Sequence, residues 1–170
     1  MLLFFNDLDF DKIARLKQRL HSENLEHVHI CFSVGDANEF LKAFPLDQYK
    51  QFNKLLFYDP YNASIDWDAV TPFLNCWGEV IVNHMVIDTV RGAAQALAHE
   101  KVRRYEGTYE KDIEEILKIG NDRKALDDIL VAVMRKQMDS KQSEKTYITS
   151  FPFHNRNNGL IYNLMFCSHN

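Results

Sequence analysis

Leu2 to Phe5 is an unbroken apolar run that ends at Asn6-Asp7, the pattern of a short strand buried on both faces. From Asp9 to about Leu20, apolar residues fall at Phe10, Ile13, Leu16 and Leu20 with Lys and Arg between them, which predicts an amphipathic helix. Val28 to Phe32 predicts a second strand. Ser33-Val34-Gly35-Asp36 then reads as a turn and Ala37 to Phe44 as a helix stopped by Pro45. The pattern repeats with a strand at Lys54 to Tyr58, a loop at Asp59 to Ser64 and a helix from Asp66 to about Cys76. The first turn of that helix is acidic, as the helix dipole favours. Glu79 to Asn83 predicts a fourth strand and Asp88 to about His99 the helix after it. Strands alternating with helices at this spacing predict a parallel sheet with helices on both faces and right-handed crossovers. Ligands of such sheets sit at the carboxyl ends of the strands.

Beyond His99 the period changes. Glu100 to Glu144 is charged and helical in period, with breaks expected at Gly107 and at Gly120-Asn121 and no strand candidate. Strand character returns at Thr146 to Phe153 and at Leu160 to Ser168. Between them Asn155-Arg156-Asn157-Asn158-Gly159 supplies the Asn-Gly signal of a hairpin. The expected organisation is one α/β domain over residues 1–170: βα repeats to 99, a helical insertion over 100–144 and a terminal antiparallel hairpin over 145–170. No internal repeat or low-complexity segment interrupts it.

Composition changes this picture little. The chain has 170 residues, 46% of them hydrophobic, enough for one domain with a real core and short for two. A formal charge of −4 gives no general field toward nucleic acid or an anionic membrane. Lys101, Arg103 and Arg104 are either a local basic patch or a solvated helix face. Cys31, Cys76 and Cys167 lie far apart, without the spacing of a zinc site, and read as reduced thiols of a cytoplasmic protein. The first residues show no basic flank, long apolar segment or small-residue cleavage site, so neither export nor a membrane span is expected.

The candidate chemistry sits where the predicted strands stop: Asn6-Asp7, Gly35-Asp36, Asp59-Pro60-Tyr61 and Asn83-His84. In one parallel sheet all four ends would gather along one edge. An acid after the first strand suits a ribose diol, because a carboxylate accepts from both hydroxyls. An acid after the second suits the exocyclic amine of a purine. At Asp59-Pro60-Tyr61, a carboxylate and nearby carbonyls could orient an amino group while the ring stacks on a flat substrate. The same three residues also read as a turn initiated by Asp-Pro.

This order of strand ends resembles that of S-adenosylmethionine-dependent methyltransferases. FFNDLDFDKIARL, GDANEFL, LLFYDPYNASIDWDAV, EVIVNHMVIDTVRGAA and YITSFPFHNRNNGLIYNLMFCSHN are together similar to the three-Cys-motif partner protein family, over nearly the whole chain. The resemblance implies a Rossmann-like, methyltransferase-type sheet, mostly parallel, with the helical insertion and the C-terminal hairpin. It implies S-adenosylmethionine as cofactor, with Asn6 or Asp7 at the ribose, Asp36 near the adenine, and Asp59, Pro60 and Tyr61 beside the transferred methyl group. It also implies a three-Cys-motif protein as partner. This loop has one proline where amino-methyltransferases usually have two. The family fold carries a glycine-rich turn after its first strand; Leu2–Phe5 aligns with its second, and the six glycines here are not clustered.

Two functions follow as expectations. One is methyl transfer from S-adenosylmethionine to an unknown nucleophile. The other is a non-catalytic or truncated Rossmann-like module that acts through a protein partner. His27 and His29 share a strand face but have no third ligand nearby, Arg91 is either a cleft residue or a surface one, and Ile129, Leu130, Met134 and Met138 read as helix packing. Hydrolase and nucleoside-triphosphatase motifs are absent.

Overall fold

The computed structural model describes residues 1–23, 25–60, 64–76, 78–99, 102–120, 122–158 and 160–169, without the side chains at 86–88, 123, 140 and 142. These residues form a mixed α/β architecture with strands in two sheets, and the chain divides into two compact units, Met1–Leu46 and Asp47–Asn170.

In the first unit β1 (Leu2–Asp7) and β2 (His29–Val34) pair in parallel, from Leu2 opposite His29 to Asp7 opposite Val34. Parallel neighbours require a crossover, supplied by α1 (Phe10–His21). Asp9 caps α1 by accepting from the backbone N–H groups of Asp11 and Lys12, and Ile13 is its buried residue. α2 (Ala37–Lys42) follows β2 and buries Leu41. Aromatic rings supply much of the apolar packing: Phe4 meets Phe44 edge-on at 4.9 Å and Phe5 stacks on Phe32 at 5.9 Å. Ser33 and Val34, expected in a turn, belong to β2 because they pair with Asn6 and Asp7.

The second unit runs β3 (Lys54–Tyr58), α3 (Trp67–Leu74), β4 (Gly78–His84), α4 (Val86–Ala98), α5 (Arg103–Tyr109), α6 (Ile113–Ile119), α7 (Arg123–Gln137), α8 (Ser140–Lys145), β5 (Thr146–His154) and β6 (Leu160–His169). Its sheet has the order β3-β4-β6-β5, with β3 parallel to β4 and β6 antiparallel to both its neighbours. The strands therefore form two sheets, one parallel and one mixed, rather than the single, mostly parallel sheet expected. The mixture has a local cause: a short hairpin makes its two strands antiparallel neighbours, and β6 then inserts between β5 and β4.

Alternation along these strands sorts the faces. Val80, Val82 and His84 of β4 and Asn163, Met165 and Cys167 of β6 are buried, as are Val70, Phe73 and Leu74 of α3 and Leu130, Val133 and Met134 of α7. Ala93, Ala96, Tyr105, Tyr109, Ile113, Ile116, Leu126 and Leu160 form a second part of this core. Leu55 and Phe57 of β3 are exposed.

The helical segment breaks elsewhere than expected. Gly107 lies inside α5, and the helix ends at Glu110, whose φ is 48°. Buried Tyr105, Thr108 and Tyr109 flank the glycine, so tertiary contacts carry the helix through a poor helix former. The break at Gly120 is observed, with φ 58° closing α6. No helix among the described residues is long and apolar enough to cross a membrane.

Candidate functional site

The parallel register of the first unit brings Asn6, Asp7, Gly35 and Asp36 to one edge. Gly35 N–H donates to the Asp7 carbonyl at 3.1 Å, and Asn6 Nδ2 donates to the Gly35 carbonyl at 3.0 Å. Asn6 Oδ1 is buried with no hydrogen-bond partner. Asp7 Oδ1 accepts from Asp9 N–H at 2.8 Å, while its Oδ2 lies 3.7 Å from Lys12 Nζ. Asp36 is the N-cap of α2, its Oδ1 accepting from Asn38 N–H at 2.9 Å and Glu39 N–H at 3.1 Å. The Asp36-x-x-Glu39 spacing is that of a capping box, a sequence signal for this local role.

In the second unit, Asp59 and Pro60 follow β3, and Tyr61 lies outside the described residues. Tyr58 pairs with Val82, so the next residues, Asp59 and Asn83, fall side by side at the carboxyl end of the parallel pair. Asn83 Nδ2 donates to Asp59 Oδ1 at 2.8 Å, and Asn83 Oδ1 is buried without a partner. The chain leading into α3 is held by α5. Ile65 N–H donates to Thr108 Oγ1 at 2.7 Å, and the Trp67 indole N–H donates to the Thr108 carbonyl at 3.2 Å.

On the opposite face of β4, His84 is enclosed, with a fully buried side chain. Its Nε2 lies 2.5 Å from Tyr109 Oη, which lies 3.0 Å from Thr89 Oγ1. Its Nδ1 faces Asp127 Oδ1 at 3.8 Å. Asn163, opposite His84 in the β4–β6 register, donates through Nδ2 to Asp127 Oδ2 at 2.5 Å. His84 Nδ1, Asp127 Oδ1 and Asn163 Oδ1 are buried without hydrogen-bond partners. Burial pushes the Tyr109 hydroxyl pKa well above its ordinary value; the Thr89 hydrogen bond opposes this, and Tyr105 and Asp127 add to it. Sequence reasoning reached Asn83-His84 as a strand end and missed Thr89, Tyr109, Asp127 and Asn163. Tyr109, Asp127 and Asn163 come from two helices and a strand remote in sequence, so no local spacing could announce them, and Thr89, five residues on in α4, joins only through Tyr109.

The remaining candidates stay apart. His27 and His29 are exposed, Arg91, Arg103 and Arg104 are exposed on helices, and Lys101 lies outside the described residues. Among the described residues no three His, Cys, Asp or Glu side chains are placed to hold a metal ion. Cys31 is exposed, Cys76 half-buried and Cys167 buried, none in a disulfide. No family model matches the sequence, and no curated protein is found similar to it.

Proposed function

We propose that the chain is a Rossmann-like, methyltransferase-type domain of the three-Cys-motif partner kind, transferring a methyl group from S-adenosylmethionine to a nucleophile received at Asp59. The observation that carries this reading is Asp59 at the carboxyl end of the parallel pair β3 and β4, its carboxylate held by Asn83 at 2.8 Å. That edge is where open α/β sheets bind ligands. Strand pairing supports the same reading. A doubly wound sheet has the order 3-2-1-4-5-6, so its parallel neighbours apart from strand 1 include 2 with 3 and 4 with 5. The resemblance equates β1 with the second strand of that fold, and the parallel pairs here are β1 with β2 and β3 with β4.

The residues fit the cofactor in part. Asn6 Oδ1 is a buried acceptor without a donor at the end of β1, the group a ribose hydroxyl would satisfy. Asp7 stands beside it, and Asp36, whose Oδ1 caps α2, has its other oxygen for the adenine amine. The cofactor supplies the electrophilic methyl group. Asp59 accepts a hydrogen bond from the incoming nucleophile and orients it, Asn83 fixes the carboxylate, and Pro60 borders the substrate, the side on which the resemblance also puts Tyr61. Three unpaired cysteines suit a reducing compartment such as the cytoplasm.

Calorimetric titration with S-adenosylmethionine and S-adenosylhomocysteine tests the reading. Binding near micromolar, about −8 kcal/mol, and loss of methyl transfer in Asp59→Ala are expected. Absence of binding, or full transfer by Asp59→Ala, would sink it. A second reading, action through a protein partner such as a three-Cys-motif protein, draws on Leu55 and Phe57, exposed at 61% and 56% on the edge strand β3. It predicts that Phe57→Lys abolishes complex formation on a sizing column without affecting cofactor binding.

A further inference from the structure

Thr108 and Tyr109 are adjacent on α5, in the segment that sequence pattern marks only as a helical insertion. Thr108 takes hold of the chain leading into α3. Its hydroxyl oxygen accepts from Ile65 N–H at 2.7 Å, and its carbonyl accepts from the Trp67 indole at 3.2 Å. The hydroxyl proton has carbonyl acceptors at Arg104, 2.9 Å away, and at Ile65, 3.3 Å away. Tyr109 takes hold of the other side. Its hydroxyl meets His84 Nε2 at 2.5 Å, and His84 directly follows Asn83, the residue bonded to Asp59. One dipeptide thus bonds both to the chain leading into α3 and to the strand that carries Asn83, the partner of Asp59.

Thr108, Tyr109 and His84 differ from ordinary helix packing in being polar and buried, with each hydroxyl and His84 Nε2 hydrogen-bonded. Thr108, Tyr109 and His84 are each at most 1% exposed. Inside a core such bonds are directional, and breaking one strands its partner, so they fix position where apolar contacts would allow sliding. Asn83 and His84 project to opposite faces of β4, so pinning the imidazole sets the backbone from which the Asn83 amide reaches Asp59.

We propose that Thr108 and Tyr109 are the positioning residues of the Asp59 site, with α5 acting as a clamp on Ile65 and Trp67 at the start of α3 and on His84 of β4. The clamp's functional meaning rests on the methyltransferase reading; its geometry does not. The clamp holds Ile65 and Asn83 in one frame, so the backbone from which Asn83 reaches Asp59 is set by a helix outside the strand ends.

Amide hydrogen exchange on the full chain tests the clamp without any ligand. Thr108→Val, which keeps side-chain shape, is expected to speed exchange of the Ile65 amide at least tenfold more than it speeds Val80 and Val82 in the core. Tyr109→Phe is expected to shift the Asn83 side-chain amide resonances in the direction Asp59→Ala shifts them, because both loosen the same pair. Uniform acceleration of all three backbone amides, or unmoved Asn83 resonances, would overturn the proposal. If the variants do not fold, the native chain still decides: an Ile65 amide exchanging at the rate of unstructured chain is incompatible with the clamp, and strong protection supports it. Calorimetry with S-adenosylmethionine reads the methyltransferase assignment separately, so either can fail alone.

Discussion

Tyr109→Phe removes one oxygen from the interior of the second unit and leaves the ring where it packs. Tyr109 is 1% exposed, and its hydroxyl meets both His84 Nε2 at 2.5 Å and Thr89 Oγ1 at 3.0 Å. Without it, Thr89 can still donate to the Met85 carbonyl, 3.5 Å away, whereas the enclosed Nε2 has no substitute partner. The cost is therefore that of one stranded buried polar group, about 1–3 kcal/mol, with little added for the small void. Taking about 2 kcal/mol against an m-value of about 2 kcal/mol/M in urea, the midpoint should fall by about 1 M with m unchanged. Unfolding followed by far-ultraviolet circular dichroism measures it. Combined with His84→Leu, the second substitution should cost less than it does alone, by about 1 kcal/mol, because the two groups are direct partners. A loss under about 0.5 kcal/mol, or strict additivity with His84→Leu, would refute the claim that this hydroxyl satisfies the buried imidazole.

Asp36→Ala should destabilise the first unit by about 1 kcal/mol through the lost N-cap of α2, whether or not the cofactor binds, so its effect on affinity must be read against a stability control. Burial pushes the Cys167 thiol up to about 12 from 9.0. The native state therefore holds a proton that the unfolded chain releases, and stability present below pH 9.0 is lost as pH rises toward about 12, by about 1.4 kcal/mol per pH unit. Urea midpoints measured across that range should show this slope, and Cys167→Ala should flatten it. Alkylation at neutral pH should label Cys31 first and Cys167 only in denaturant, following their exposure. Gly78→Ala should cost about 3 kcal/mol or more, because φ is 154° and the new Cβ would sit 2.5 Å from the Lys54 carbonyl oxygen; normal stability would refute the β3–β4 register.

Local pattern was enough to place most elements. Phe10, Ile13, Leu16 and Leu20 marked α1; Lys54–Tyr58 appeared as a strand with its expected ends; Asn155–Gly159 marked the hairpin. Each signal lies within a few residues of the element it encodes, because periodicity and turn chemistry are near-neighbour physics. Gly107 shows the limit. Glycine is a break by propensity, and only the burial of Tyr105, Thr108 and Tyr109 overrules it.

The site divides in the same way. That acids and amides close the strands was determined by the sequence, since Asn6, Asp7, Asp36, Asp59 and Asn83 stand where apolar runs end. What each of them touches was decided by tertiary structure. Parallel register set Asn83 beside Asp59, a helix start engaged Asp36, and packing of α5 and α7 against β4 enclosed His84 between Tyr109 and Asp127. Strand register and helix packing minimise exposed apolar area over the whole unit, a sum to which residues remote in sequence contribute together, so no single segment carries it.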